Sequence, residues 1–286
     1  MRGSALLATD HNLINVLRWA GNDDLEPLVE YITQKGSLTE SLTDSPTYKL
    51  NSPNHKAYAD DIAAEIQLFG ANSIRSVIRG HGVKYEVIVR NVAKKLKVKT
   101  WFRNLEEIEG DIHLKLLGEA YGQASEEERR GMLEALGVNI RRDLQGRIPP
   151  ILPAVSLAAV GAGGFLLYQI AVIVANSMAH AAIGHGLSFF GNALLTKSMS
   201  VFLGPVGWSI SALLIANSLF AGPAYRVTVP AVIHISYLRA KQREEARAKR
   251  RAEMIKWAKV IALLVAVLIA ILASVALLAP WLAANR

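Results

Sequence analysis

The chain has 286 residues, 51% of them hydrophobic, a mean hydropathy of +0.24 and a formal charge of +8. That length allows one or two domains, and an apolar balance this high is unusual for a protein whose whole surface meets water. With no cysteine, disulfides, thiolate metal sites and cysteine nucleophiles are excluded.

Met1 to Asn12 holds one arginine and a short apolar patch but no apolar run of secretory length, so the bulk of the protein is expected to stay in the cytosol. From Asp10 to about Gly146 the charges are mixed and apolar residues recur at helical spacing. Ile62, Ile66 and Phe69 form one such face, and Ile74, Val77 and Ile78 continue it after an expected turn at Gly70. Asp23 reads as an N-cap before Leu25, Leu28, Val29 and Ile32, and Ser125 with Glu128 forms a capping box before Met132, Leu133 and Leu136. Residues 36–53 are rich in Ser, Thr and Pro and read as a loop. Residues 1–146 are expected to form an all-helical soluble domain.

Residues 147–238 form an apolar, Gly/Ala-rich helical region. Between Arg147 and Arg226 the only charged side chain is Lys197, a gap that is rare in a soluble domain. Residues 151–175 and 199–222 are each long enough to cross a bilayer, and Gly204, Pro205 and Gly207 in the second are tolerated in packed membrane helices. The two could form a membrane hairpin, with residues 176–198 on the far side. The alternatives are a Gly/Ala-rich core or helices lying against the membrane face.

Residues 239–286 read as a basic juxtamembrane helix followed by a transmembrane anchor. Arg239, Lys241, Arg243, Arg247, Lys249, Arg250, Arg251, Lys256 and Lys259 face only Glu244, Glu245 and Glu253, so this run carries +6 of the net charge. Residues 260–279 then run without a charge for a length that spans a hydrocarbon core of about 30 Å. Trp257 and Trp281 bracket the span where amphipathic rings prefer to sit. The positive-inside rule puts the basic run in the cytoplasm, against anionic lipid headgroups, and the bacterial inner membrane is the expected location. Nucleic acid is not expected as a partner, because the charge comes without a phosphate-cradling or base-reading motif.

Residues 65–99, EIQLFGANSIRSVIRGHGVKYEVIVRNVAKKLKVK, resemble the most recognisable block of the YaaW family, bacterial proteins grouped with the ubiquinol-cytochrome c chaperone domain. Residues 221–239, AGPAYRVTVPAVIHISYLR, resemble the closing signature of the same family, and residues 184–186 and 204–207 resemble pieces between. The matching positions include Arg79, Gly80, His81, Gly82, Tyr85, Gly184, His185, Gly186, Tyr225, Arg226 and Pro230, all expected to serve structure. The resemblance carries no assigned activity. It implies a helical domain of chaperone-like shape, and the basic run and anchor after Arg239 look like an addition to shorter members.

The two Gly-His-Gly triplets, with His180 and His234, invite a metal or acid/base reading. A transition metal normally needs three or four converging ligands, and no HExxH motif or His-carboxylate pairing supplies them, so neither metal nor cofactor is expected. The glycines flanking His81 read as a turn needing positive φ. Asp60, Asp61 and Glu65 read as a solvated helix face beside Lys56, and Arg226 as an anchor or structural ion pair.

Together these features lead us to expect a non-enzymatic membrane protein whose apolar middle inserts in or perturbs the membrane, as a defence or competition effector would. The competing expectation is a membrane-tethered assembly factor that binds a client protein through residues 10–146. Self-association into a homo-oligomer is compatible with both.

Overall fold

A computed structural model of the chain describes residues 10–33, 41–72, 82–136, 138–151, 165, 168, 169, 171, 172 and 223–284, the last thirteen of these as backbone alone. The protein is all-helical: every regular element among the described residues is an α- or 3-10 helix. Two compact units are present, residues 1–241 and 242–286.

In the first unit, helix α1 (His11–Trp19) buries Leu13, Ile14, Val16 and Leu17, the stripe that 3.6-residue periodicity puts on one side. Helix α2 (Asn22–Thr33) buries Leu25, Leu28, Val29, Tyr31 and Ile32. Its first turn differs from the expected Asp23 cap. Asp23 is already helical, and it is Asp24 that reaches back, its Oδ2 accepting from the Gly21 N–H at 3.2 Å. Both acids still favour that end of the helix dipole.

The Ser/Thr/Pro-rich stretch is not simply a loop. It contains a 3-10 turn at Leu42–Asp44 and helix α3 (Pro46–Asn51), whose proline occupies the first turn where a missing N–H costs nothing. A second 3-10 turn, His55–Tyr58, leads into α4 (Ala59–Asn72). Helix α4 runs through Gly70 rather than turning there. A Cβ on Gly70 would lie 2.4 Å from Ile88 Cγ1, so the glycine allows close contact with α5 (Tyr85–Lys95). Gly82 is likewise explained by proximity and not by positive φ: a Cβ there would meet Gln67 Cβ at 2.7 Å. Ile74, Val77, Ile78 and residues 79–81 lie outside the described residues.

Helix α6 (Leu105–Gln123) starts at a capping box between Asn104 and Glu107, and α7 (Glu126–Ala135) at the expected one between Ser125 and Glu128. In each, the cap side chain and the third-residue glutamate satisfy one another's backbone N–H groups. A short α8 (Ile140–Asp143) follows. The chain then supplies Ala171 and Val172 to the core, with Phe165 and Tyr168 packed against it.

The last element is α9 (Pro223–Ala284), a helix of 62 residues. Its start belongs to the first unit, where Val227, Val229, Val232, Ile233, Ile235 and Leu238 join the same core as Leu13, Leu25, Ile66, Val89 and Ile112. Residues from both sides of position 147 therefore share one core.

Candidate functional site

The buried start of α9 is apolar on most of its circumference, and most of its few buried polar side chains have partners, the exception being His234 Nδ1, which is buried without one. Arg239 is only 11% exposed and donates from Nε to Glu109 Oε2 (3.2 Å) and from Nη2 to the Asn12 carbonyl (2.6 Å). The other Glu109 oxygen accepts from the Tyr85 hydroxyl at 2.9 Å, and the guanidinium lies 5.7 Å from the Tyr85 ring centre. Burial, and then the neighbouring carboxylate, push the Tyr85 phenol well above its ordinary pKa, so it is a neutral donor. The Tyr85 N–H is held by Asp10 Oδ2 (2.7 Å), which also accepts from Gln67 Nε2 (2.8 Å). Five segments thus meet at Tyr85: the entry to α1, then α4, α5, α6 and α9.

One turn along, His113 of α6 donates from Nδ1 to the Glu109 carbonyl (2.6 Å), leaving Nε2 facing Ser236 Oγ at 3.1 Å. Tyr168 packs on its ring at 4.5 Å, and Phe165 stacks on Tyr237 at 5.6 Å. His234 donates to the Asp24 carbonyl at 2.7 Å, while the Asp24 carboxylate takes Lys241 Nζ at 2.7 and 2.9 Å. Burial lowers both His113 and His234 to about 4, so both are neutral imidazoles at neutral pH. Among the described residues there is no group of three or more His, Asp or Glu placed to hold a metal.

Arg239 and Lys241 therefore differ from the rest of the basic run they were grouped with: Glu109 and Asp24 hold them, where lipid headgroups were expected to. Tyr85 and Pro230 are buried, Tyr225 is half-buried under Lys95 Nζ (5.1 Å from its ring centre), and Arg226 is exposed. Among the expected solvated acids, Asp60 pairs with Arg18 at 2.6 Å, but Glu65 is buried and accepts from Ser41 N (3.0 Å) and Oγ (2.6 Å). Residues 184–186 and His180 lie outside the described residues.

The second unit is the remainder of α9. Arg247, Lys249, Arg250, Arg251, Lys256, Trp257 and Lys259 are all exposed, and Arg243 is half-exposed. After them Val260, Ile261, Leu263, Leu264, Val265, Val267, Leu268, Ile269 and Ile271 are between 39% and 65% exposed, on all sides of the helix. Such a continuous apolar surface far exceeds what a soluble monomer leaves in water. By length and composition this helix can cross a membrane. Trp281 lies in the part described as backbone alone.

These features define an all-helical protein that ends in one long, exposed apolar helix. The chain is 39% identical to a UPF0174 protein of Helicobacter pylori strain J99 over 213 residues, covering 74% of this chain and 82% of that protein. It is 35% identical to a UPF0174 protein of Helicobacter pylori strain 26695 over 206 residues, 71% of this chain and 98% of the relative. The UPF0174 protein YaaW of Escherichia coli K12 is 32% identical over 179 residues, 62% of this chain and 69% of its own length. The chain belongs to the UPF0174 family. No protein-family model and no solved structure matches it.

Proposed function

We propose that this protein is a non-enzymatic helical domain tethered to the bacterial inner membrane by α9, with the domain on the cytoplasmic side, where it binds a client protein as a membrane-bound assembly factor. The observation that carries this reading is the division of labour along α9. Its first turns are core of the domain, and residues 260–271, behind a basic stretch, expose apolar side chains. The basic stretch supports the cytoplasmic orientation through the positive-inside rule. The chaperone-like shape that the resemblance of residues 65–99 and 221–239 implies is in keeping with a client, by analogy alone. Tyr85, Glu109, His113 and Arg239 are closed off and engaged with one another, which suits a structural rather than a catalytic role.

The rival reading, an effector whose apolar middle enters the bilayer, is less well supported. Phe165, Tyr168, Ala171 and Val172, from the first of the two candidate spanning stretches, pack on the domain core beside His113 and Tyr237. Insertion would first have to unpack them.

Flotation of the full-length protein with dye-loaded phosphatidylcholine/phosphatidylglycerol vesicles separates the two. Co-flotation that survives high salt, without dye release, is expected for the tether. Dye release transfers support to the effector, and failure to float overturns both. A single cysteine at Ser188→Cys, in a chain that has none of its own, should be labelled from the cytoplasmic side only; labelling from the far side would restore the spanning hairpin.

A further inference from the structure

Between α5 and α6, residues 96–104 form a short connection that sorts its side chains in an unusual way. The aliphatic residues turn inward: Leu96 is buried and Val98 packs against the core. The aromatic residues turn outward, Trp101 at 83% and Phe102 at 103% exposed. Failure to pack does not explain this, because the connection is well held. The Val98 N–H donates to the Ala93 carbonyl (2.8 Å), Lys97 N–H to Lys94 (3.1 Å), Arg90 Nη1 to the Thr100 carbonyl (3.4 Å), and Asn104 caps α6. Lys97 and Phe102 both sit at positive φ, 58° and 57°, where side chains other than glycine are strained. At Lys97 this is the common left-handed ending of a helix, closed by the Val98 N–H to the Ala93 carbonyl, whereas Phe102 holds the same conformation while presenting its whole phenyl ring to solvent.

The charge around the aromatic pair indicates what it meets. From Lys94 to Arg103 there are five basic residues and no acid. Lys94, Lys97 and Lys99 are exposed, Lys95 lies over Tyr225, and Arg103 is 3.7 Å from Asp111. The nearest acids along the chain, Glu106 and Glu107, begin only inside α6, where Glu107 is occupied by the capping box. Exposed Trp and Phe preceded in the chain by exposed lysines match the lipid-water boundary, where indole prefers to sit and anionic headgroups attract the ammonium groups.

We propose that residues 94–103 are a second lipid contact: Trp101 and Phe102 enter the headgroup region of an anionic bilayer, and Lys94, Lys97 and Lys99 engage its phosphates. The inference rests on the tether reading in one respect only, that α9 keeps the domain beside a bilayer and so gives the loop a high local concentration of lipid. With such a contact the domain would rest on the membrane surface at a defined site.

The full-length chain carrying a single Phe102→Cys, labelled with a polarity-sensitive nitrobenzoxadiazole dye, tests this in vesicles with and without phosphatidylglycerol. A blue shift and quenching by headgroup-level spin-labelled lipid are expected in anionic vesicles, and neither for the same dye at Leu50→Cys, an exposed position on α3. Adding Lys97→Ala with Lys99→Ala should weaken the loop's partition about 30-fold, from about fivefold per lysine, and Trp101→Ala should reduce the shift with phosphatidylglycerol still present. Flotation of the same samples reports on the tether separately. A chain that floats while the Phe102 dye stays in water at every lipid composition overturns the loop contact, leaves the tether standing and turns the aromatic pair into a protein-binding surface. A chain that neither floats nor shifts overturns both.

Discussion

Arg239 Nε and Glu109 Oε2 lie 3.2 Å apart although 130 residues separate them in the chain. Burial disfavours the guanidinium charge, but Glu109 and Tyr85 beside it more than offset this and its pKa is raised. The pair joins the helix proposed as the membrane anchor to the centre of the domain. Replacing a buried ion pair with apolar groups costs little, but removing one partner strands the other charge. Glu109→Leu is therefore expected to destabilise the domain by about 3–5 kcal/mol, seen as a lower urea midpoint for the detergent-solubilised full chain. Glu109→Leu combined with Arg239→Met should recover most of that loss. A double variant as unstable as the single one would show that the two groups are not coupled.

The close approach of α4 and α5 makes a second prediction. Alanine normally stabilises a helix interior relative to glycine by about 1 kcal/mol, yet Gly70→Ala would press a methyl group to 2.4 Å from Ile88 Cγ1 and 2.6 Å from its Cδ1. The overpacking should win, with a net loss of about 1–3 kcal/mol. Ile88→Ala removes the two closest carbons and leaves only Val83 Cγ2, at 3.0 Å, so Gly70→Ala should cost much less in that background. Melting temperatures of the four proteins in the cycle decide the point. An unchanged Gly70→Ala protein would mean that α4 and α5 shift apart easily.

How much of this could be read from the sequence follows from how local each interaction is. The capping box at Ser125 and Glu128 and the apolar face of Ile62, Ile66 and Phe69 depend on neighbours within one turn, and both are present as expected. Gly70 shows the limit of local signals. The same residue serves turns and close helix contacts, and only the position of Ile88 distinguishes them. Arg239 and Lys241 look identical in sequence to the lysines and arginines that follow, because Glu109 and Asp24, which hold them, are more than 120 residues away.

Acid should destabilise the domain through its buried imidazoles. His113 is lowered to about 4 because burial disfavours its charged form, against an ordinary value of 6.5 in the unfolded chain. Above pH 6.5 neither state binds the proton. Between 6.5 and about 4 only the unfolded state does, so stability falls as pH falls, by up to about 1.4 kcal/mol per pH unit and about 3 kcal/mol in all. Below that the folded state is protonated too and this contribution levels off. His234, lowered to about 4 by burial in the same way, doubles the slope. Urea midpoints between pH 7.5 and 5 should decline accordingly, and His113→Gln should remove about half of the decline. A flat profile over that range would show that water reaches both rings.

The anchor itself yields the last prediction. Ile269 lies near the middle of the uncharged run, is 61% exposed, and has aliphatic neighbours on every side. An arginine at the centre of a membrane helix costs about 2.5–3.5 kcal/mol, and the lost isoleucine contributes about 0.5 kcal/mol more. Ile269→Arg should therefore move much of the protein from the membrane fraction to one extracted by alkaline carbonate. The domain is expected to keep its fold, since Ile269 lies in the second unit and outside the shared core. Ile269→Leu is the matched control and should leave the partition unchanged. If the arginine variant stays in the membrane pellet while Trp101→Ala releases it, attachment through the loop between α5 and α6 dominates over α9. If neither variant changes the partition, the apolar run is covered by protein rather than lipid, and self-association through α9 becomes the explanation for its exposed surface.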